Sequence, residues 1–340
     1  MVDDSPCYSR KIVHDHGSPG ADRSSQRRPA SARFWIGIAT LPKLPDRKGV
    51  IRLSTPEPPS APSPPPRVTD LRRLATTIRL RAVEMVAPQG FGYLGQALSA
   101  AEQYAAVYGA ALRPGTDRVV CSPAHYVIAA YAAAAEMGLL DEETLKTYGQ
   151  NGSSLEAIGT ERSKVPDYTC GSLGQGLSAA AGFALADRLL GRPGVRTFAF
   201  LSDGEMQEGQ VWEAAMFAGH QRLGRLTVLL DANNSQVDGP VDTITTIEPI
   251  AAKWQAFGWN AVELDGHDVT AIAAALADTA QAAEPASGHG RPQVLICRTS
   301  TRHGLDCLPP DADGHFIKLP AGLAAAAIAE LTEELARHDI

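Results

Sequence analysis

The chain has 340 residues, of which 44% are hydrophobic and 20% charged, and its formal net charge is −7 at neutral pH. This composition is typical of a globular protein, and the negative charge argues against nucleic acid or an anionic membrane surface as the main partner. The longest apolar stretch, 126–135, is too short to span a bilayer, and the five cysteines have neither metal-binding nor disulfide spacing, so a reducing cytoplasm is the expected location.

The first 67 residues differ in composition from the rest of the chain. Residues 58–66 are mostly proline, which can neither pair inside a sheet nor continue a helix. An apolar island at 34–38 is too short, and too far from the N-terminus, for a signal peptide. We therefore expect residues 1–67 to be a disordered extension, unless the start codon is wrongly assigned, and residues 68–340 to form the folded domain.

Beyond residue 70, segments typical of helices and strands alternate. We expect helices at 71–86, 104–111, 173–190, 211–220 and 321–336, and strands at 197–201, 226–230 and 292–297. Ser122 and Pro123 are typical of a helix N-cap and first helical position, so His125 is predicted to lie in a first turn. Backbone N–H groups there disfavour an imidazolium, and a neutral His125 suits donation to a diphosphate or substrate oxygen.

Acidic and amide side chains follow two consecutive predicted strands. Asp203 and Gly204 come soon after the strand at 197–201, and Asn233 and Ser235 follow the next strand. A strand–helix–strand unit is right-handed, and its ligands bind beyond the carboxyl ends of the strands. Because Mg²⁺ and Ca²⁺ prefer oxygen ligands, the expected metal ligands are Asp203, Asn233 and the Ser235 carbonyl. Gly204 allows close approach of a phosphate. The alternative is an ordinary unit with a polar loop.

Further segments extend this pattern to most of the chain. They are 96–102, 117–125, 171–178 and 264–268, of which the Gly-rich segment at 171–178 is the most specific. Together they resemble the thiamine diphosphate-binding domain of transketolase, from about residue 70 to about residue 320. The resemblance implies an α/β thiamine diphosphate-binding fold, with a parallel sheet flanked by helices, and thiamine diphosphate and Mg²⁺ (or Ca²⁺) as cofactors. The implied cofactor-binding residues are Gly171, Leu173, Asp203, Gly204, Glu205, Asn233, Ser235 and His125.

The resemblance also implies catalytic residues, with two departures. Glu208 and Glu213 match glutamates that share protons between two active sites at the family's subunit interface, and His125 matches a histidine on the cofactor side. Tyr93 stands where the family commonly has a substrate-binding histidine, and 155–163 lacks a second one. These losses leave cofactor binding intact but put a sugar-phosphate substrate in doubt. A late histidine, His315 or less favourably His303, is expected to face the diphosphate or the substrate.

The expected activity is transfer of a two-carbon ketol unit from a ketose to an aldehyde, which makes small sugars the substrates. The chain ends where the family's diphosphate domain ends, so the resemblance implies a partner subunit with the pyrimidine-binding domain, in an α2β2 assembly, and no activity without it. The alternatives are the α subunit of a 2-oxo acid decarboxylase or dehydrogenase, an acyloin-type synthase, a non-catalytic relative, and, least favoured, an unrelated flavodoxin-like module.

Overall fold

A six-stranded parallel sheet lies at the centre of the structure, a computed structural model that describes residues 68–282, 288–312 and 314–338. The extension expected at 1–67 lies outside the described residues. The strands are β1 (Phe91–Gly92), β2 (Arg118–Pro123), β3 (Tyr168–Cys170), β4 (Thr197–Ser202), β5 (Leu226–Ala232), β6 (Asn260–Asp265), β7 (Gln293–Arg298) and β8 (Ile317–Lys318). The large sheet has the order β3-β2-β4-β5-β7-β6, and β1 pairs with β8 as a separate antiparallel ribbon.

Helices cover both faces of this sheet. They are α1 (Val68–Val86), α2 (Leu94–Ala106), α3 (Val127–Glu136), α4 (Glu142–Leu145), α5 (Gly176–Leu189), α6 (Gly209–His220), α7 (Val241–Ile244), α8 (Ile250–Ala256), α9 (Val269–Ala282) and α10 (Ala321–His338). A π-helical turn, Val107–Ala111, continues α2. No helix among the described residues has both the length and the apolar character needed to cross a bilayer. The predicted α/β architecture, a parallel sheet flanked by helices, is confirmed.

The core forms two layers because side chains alternate across the central strands. Phe198 and Phe200 of β4 point to one face, where they pack with residues of α1, α2, α3, α9 and α10. Ala199 and Leu201 point to the other face, which α5, α6 and α8 cover. Successive strand residues face opposite sides of a sheet, so a strand buried on both faces is apolar throughout. This explains why the uninterrupted apolar runs were recognisable in the sequence.

Strand pairing keeps the carboxyl ends of the central strands level. Ser202 of β4 pairs with Asp231 of β5, and Asp231 pairs with Cys297 of β7. The loops that follow these strands therefore begin at the same edge of the sheet.

Two predicted helix starts are wrong. Ser122 and Pro123 belong to β2, because pairing with β3 and β4 continues the strand, and α3 begins only at Val127 after a 3₁₀ turn that contains His125. The Gly-rich helix begins at Gly176 rather than Leu173, since the intervening Gly174 has a left-handed φ of 86°.

Close packing of α6 against the loop after α8 gives a test of the fold. A Cβ added at Gly219 would lie 1.9 Å from the Phe257 carbonyl oxygen, whereas one added at Gly322 of α10 would meet open space. We expect Gly219→Ala to lower the free energy of unfolding by about 1–3 kcal/mol through overpacking. The matched change Gly322→Ala should leave it unchanged or raise it by up to about 1 kcal/mol. Urea unfolding measures both, and equal effects would contradict the packing of α6.

Candidate functional site

A cavity of about 340 Å³ opens at the carboxyl ends of β4, β5 and β7. Asp203, Asn233 and Thr299 line it, together with Arg298. Asp203 directly follows β4 and Asn233 directly follows β5, and neighbouring strands of a sheet lie about 4.8 Å apart. Parallel strands thus bring residues separated by 30 positions in the chain to the wall of one cavity.

Asp203 is a buried carboxylate, only 3% exposed. Its Oδ1 accepts a hydrogen bond from the Gly204 N–H (2.8 Å), and its Oδ2 accepts one from the Asn234 N–H (2.5 Å). Burial, and next the nearby charge of Asp231, raise the pKa of Asp203 to about 7. Backbone N–H groups fix both carboxylate oxygens. Because burial destabilises the anion, a cation bound beside it would stabilise the charged form.

Asn233 has its side chain fixed by hydrogen bonds at both ends. Its Oδ1 accepts from the Ser235 N–H (2.9 Å), and its Nδ2 donates to Asp231 (2.8 Å) and to the Tyr126 hydroxyl (3.1 Å). The amide oxygen keeps a second lone pair. The amide oxygen of Asn233 therefore points toward the loop that contains Ser235, where it can also act as a metal ligand.

Asp231 is the central residue that the sequence analysis missed. It is 1% exposed and accepts hydrogen bonds from five side chains. The donors are Ser99, Gln103, Tyr126, Asn233 and Thr299. Burial raises the pKa of Asp231, and these hydrogen bonds act in the opposite direction. A charged residue within an otherwise apolar strand was the available signal.

Glu205 connects the acidic loop to the Gly-rich turn. It is fully buried, and its carboxylate accepts from the Ser122 hydroxyl (2.5 Å) and from the Gly174 N–H (2.7 Å). Burial raises its pKa to about 7. Ser122 in turn accepts from the Gly176 N–H (3.0 Å), where an added Cβ would lie 2.3 Å from the serine Cβ. This contact fixes the start of α5 against β2, and the nearby Gly171 remains exposed.

A group of aromatic rings and imidazoles surrounds His125. The ring centroids of His125 and His315 lie 5.0 Å apart, and Tyr93 lies 5.1 Å from the former and 5.6 Å from the latter. Burial, with the neighbouring His315, lowers the pKa of His125 to about 3, so its ring is neutral. The buried Nε2 of His125 has no hydrogen-bond partner among the described residues. The side-chain amide nitrogen of Gln96 lies 2.8 Å from Nδ1 of His315 and holds that imidazole in place.

The remaining predicted residues divide between the surface and another cluster. Glu208 and Glu213 are exposed at the start of α6, and Leu173 is 36% exposed. His303 stacks on His267 with ring centroids 3.6 Å apart, close to the β6 edge of the sheet. The less favoured late histidine therefore belongs to a different cluster from His125.

Three buried carboxylates, Asp203, Glu205 and Asp231, lie around this edge of the sheet, and none makes a salt bridge with a lysine or arginine in the described part of the chain. Buried negative charge of this kind is balanced by a bound cation or by protonation. The donor set of carboxylate, amide and carbonyl oxygens fits Mg²⁺ or Ca²⁺.

Comparison with known proteins identifies the family. A model of the transketolase thiamine diphosphate-binding domain matches residues 71–338. The chain belongs to the transketolase family. It is 36% identical, over 78% of its length and 97% of the relative's, to the 6-deoxy-6-sulfo-D-fructose transketolase subunit of Clostridium sp. (strain MSTE9). It is 29% identical to rat transketolase over 78% of its own length, but spans 42% of that protein.

Solved structures agree with this assignment. A transketolase from Pichia stipitis, in complex with sedoheptulose 7-phosphate, superimposes with a TM-score of 0.64 at 28% identity. The match covers 80% of this chain and 45% of that one. The predicted family is confirmed, and the chain spans less than half the length of these transketolases.

The raised pKa of Asp203 predicts a pH-dependent stability. The folded state holds this proton more tightly than the unfolded state, so stability due to the group is present below about pH 4 and is lost as the pH rises toward 7. Because Asp203→Asn cannot ionise, we expect its free energy of unfolding to exceed that of the metal-free wild type by more at pH 8 than at pH 4.5. The change in this difference between the two pH values should be a few kcal/mol, at about 1.4 kcal/mol per pKa unit. Urea unfolding at both values measures this, and a pH-independent difference would refute it.

Proposed function

We propose that this chain binds thiamine diphosphate and Mg²⁺ and, with a second polypeptide that carries the pyrimidine-binding domain, transfers a two-carbon ketol unit from a ketose to an aldehyde. The buried carboxylates of Asp203, Glu205 and Asp231, which have no lysine or arginine partner among the described residues, carry this proposal in a chain that matches the family's thiamine diphosphate-binding domain. When bound, the coenzyme supplies the electron sink for cleavage of a carbon–carbon bond.

The proposed metal ligands are Asp203, Asn233 and the Ser235 carbonyl. The carboxylate is fixed by two backbone N–H groups, and the amide by the Ser235 N–H and by Asp231. Such preorganised oxygens bind a divalent cation without first rearranging, and the cation removes the cost of burying the anion at position 203. Gly204 would keep a side chain away from the diphosphate, and the turn from Gly171 to Gly174, joined to Glu205 through the Gly174 N–H, would contribute to holding it.

The proposed substrate-side groups are the two imidazoles. His125 is neutral over the physiological pH range because it is buried, and its Nε2 is left to contact a substrate or diphosphate oxygen. His315 lies beside it and completes a polar pair. Glu208 and Glu213 would share protons between the two active sites of the assembled enzyme, as the family resemblance implies. The likeness to a subunit that acts on a sulfonated sugar supports an anionic sugar as donor.

Removing one proposed ligand should weaken cofactor binding. We expect Asp203→Ala and Asn233→Ala each to weaken binding of thiamine diphosphate in the presence of Mg²⁺ at least tenfold, because each removes an oxygen ligand. Calorimetry with the candidate partner present measures the change. Asp238→Asn, an exposed carboxylate in the same loop, is the matched control and should have no effect. Equal binding by all four proteins would refute the site.

Tyr93 provides a test of substrate choice. Its ring packs against His125, His315 and Phe316, so it occupies space that a smaller imidazole would leave for a substrate hydroxyl. We expect Tyr93→His to raise kcat/KM for hydroxylated ketose donors about tenfold, which is equivalent to one hydrogen bond. The kcat/KM for pyruvate should stay unchanged. Tyr93→Phe retains the ring and is the control. Turnover of pyruvate rather than any ketose by the wild-type complex would favour the 2-oxo acid enzymes instead.

A further inference from the structure

Apolar side chains lie in the two segments where the family resemblance leads us to expect substrate-binding histidines. Tyr93 stands in the first segment, and the second, 155–163, contains Ile158 and no histidine. Ile158 is 43% exposed although its side chain is aliphatic. Neither segment therefore offers an imidazole to a sugar hydroxyl, and both offer an apolar surface instead.

Two contacts place Ile158 next to the candidate site. The N–H of the following residue, Gly159, donates to the Ala124 carbonyl (3.0 Å), which directly precedes His125. A Cβ added at Gly171 would lie 3.5 Å from Cγ2 of Ile158. The segment that contains Ile158 thus adjoins the turn of His125, and its side chain lies against the proposed cofactor-binding turn.

The ribbon of β1 and β8 presents an aromatic face beside the same site. Phe91 pairs with Lys318, and the next pair joins Gly92 to Ile317. Successive strand residues point to opposite faces, so the buried Ile317 faces the core and Phe316 lies on the outer face with Phe91. The centroids of these two phenyl rings lie 5.4 Å apart, and Phe91 is 53% exposed.

The rings form a continuous path from His125 to the surface. The Tyr93 ring centroid lies 5.1 Å from that of His125 and 5.1 Å from that of Phe316, which in turn contacts Phe91. A cavity of about 430 Å³ opens on this outer face. It is lined by Gly90, Phe91, Phe316, Lys318 and Pro320. A ring-sized group that extends from His125 along Tyr93 would therefore reach an apolar cavity.

Such a surface disfavours a polyhydroxylated chain. A hydroxyl that is removed from water without a hydrogen-bond partner is unfavourable, and neither a phenyl ring nor the Ile158 side chain can provide that partner. An apolar group gains instead from burial and, where it is aromatic, from contact between rings. The residues around His125 thus select against hydroxyl groups.

We propose that the acceptor of the ketol unit is an aldehyde with an apolar, ring-sized group next to its carbonyl, and that this group contacts Ile158, Tyr93, Phe316 and Phe91. The inference rests on the proposed ketol transfer, whose acceptor it names.

The transfer to such an acceptor balances without an oxidant or a reductant. The bond between C2 and C3 of the ketose breaks, and the C3 hydroxyl loses its proton as the leaving aldehyde forms. A new carbon–carbon bond joins the two-carbon unit to the carbonyl carbon of the acceptor, whose oxygen takes up one proton. The product is an α-hydroxy ketone that carries the apolar group.

A comparison of two acceptors tests the substrate class. With the candidate partner and one ketose donor, we expect the wild-type kcat/KM for benzaldehyde to exceed that for glyceraldehyde at least tenfold. Ile158→His supplies a hydrogen-bonding side chain and should lower this ratio about tenfold. Phe91→Ser should lower it about fivefold, the equivalent of one aromatic contact.

Leu139→Ser is the matched control. Leu139 is an apolar residue that is 47% exposed, but it lies near Asp117 at the amino end of β2, which is the opposite edge of the sheet. The ratio of the two kcat/KM values should therefore stay unchanged. Circular dichroism establishes that each variant is folded.

Binding of an unreactive ligand to the full chain separates this inference from the proposed transfer. Benzyl alcohol has the ring of benzaldehyde but no carbonyl, and saturation-transfer NMR measures its binding without turnover. We expect the wild type and Leu139→Ser to bind it equally, with a Kd on the order of 1 mM. Phe91→Ser and Ile158→His should each bind it about fivefold more weakly.

The two measurements fail in different ways. A complex that turns over neither aldehyde would refute the ketol transfer, and the binding of benzyl alcohol would then decide the subsite. A wild-type complex that favours glyceraldehyde, an aldehyde preference that neither Ile158→His nor Phe91→Ser alters, or equal binding of benzyl alcohol by all four proteins would each overturn the apolar subsite.

Discussion

Negative charge buried at the carboxyl ends of β4 and β5 is the constraint on which the site depends. The pairing of Ser202 with Asp231 places Asp203 and Asp231 at the same edge of the sheet. Glu205 lies in the turn immediately after Asp203. A buried carboxylate is costly unless it is hydrogen-bonded or paired with a cation. The chain supplies hydrogen bonds from its backbone and hydroxyl groups, and no lysine or arginine of the described residues pairs with these carboxylates.

Hydrogen bonds distribute this constraint over the rest of the domain. Glu205 joins the acidic loop to β2 through Ser122 and to the Gly-rich turn through Gly174. Asp231 joins β5 to α2 through Ser99 and to the residues after β7 through Thr299. A change at one buried carboxylate therefore affects elements from across the sheet, and a cation bound there would stabilise them together.

Local sequence patterns predicted several helices and three strands of the large sheet, but not the contacts between them. The strands containing Phe198 and Leu229 are apolar on both faces, which only a parallel sheet covered by helices accommodates, so their class could be predicted. The helix expected at Ser122 was wrong because pairing with β3 and β4 overrides a local capping preference. The five hydrogen bonds to Asp231 come from segments distant in sequence, and no local pattern contains them.

The surroundings of His125, the proposed substrate side, differ in physical character from those of Asp203, the proposed metal side. Around Asp203 the surroundings are charged and held by backbone N–H groups, whereas around His125 they are aromatic, and burial keeps the imidazole neutral. Because its pKa is lowered to about 3, the neutral ring is a weak base that can hydrogen-bond to a polar substrate without taking a proton from it. Tyr93 and Phe316 restrict the space beside it. Under the proposed function, the acidic half would bind the diphosphate and its metal, and the aromatic half would discriminate between substrates by shape and hydroxylation.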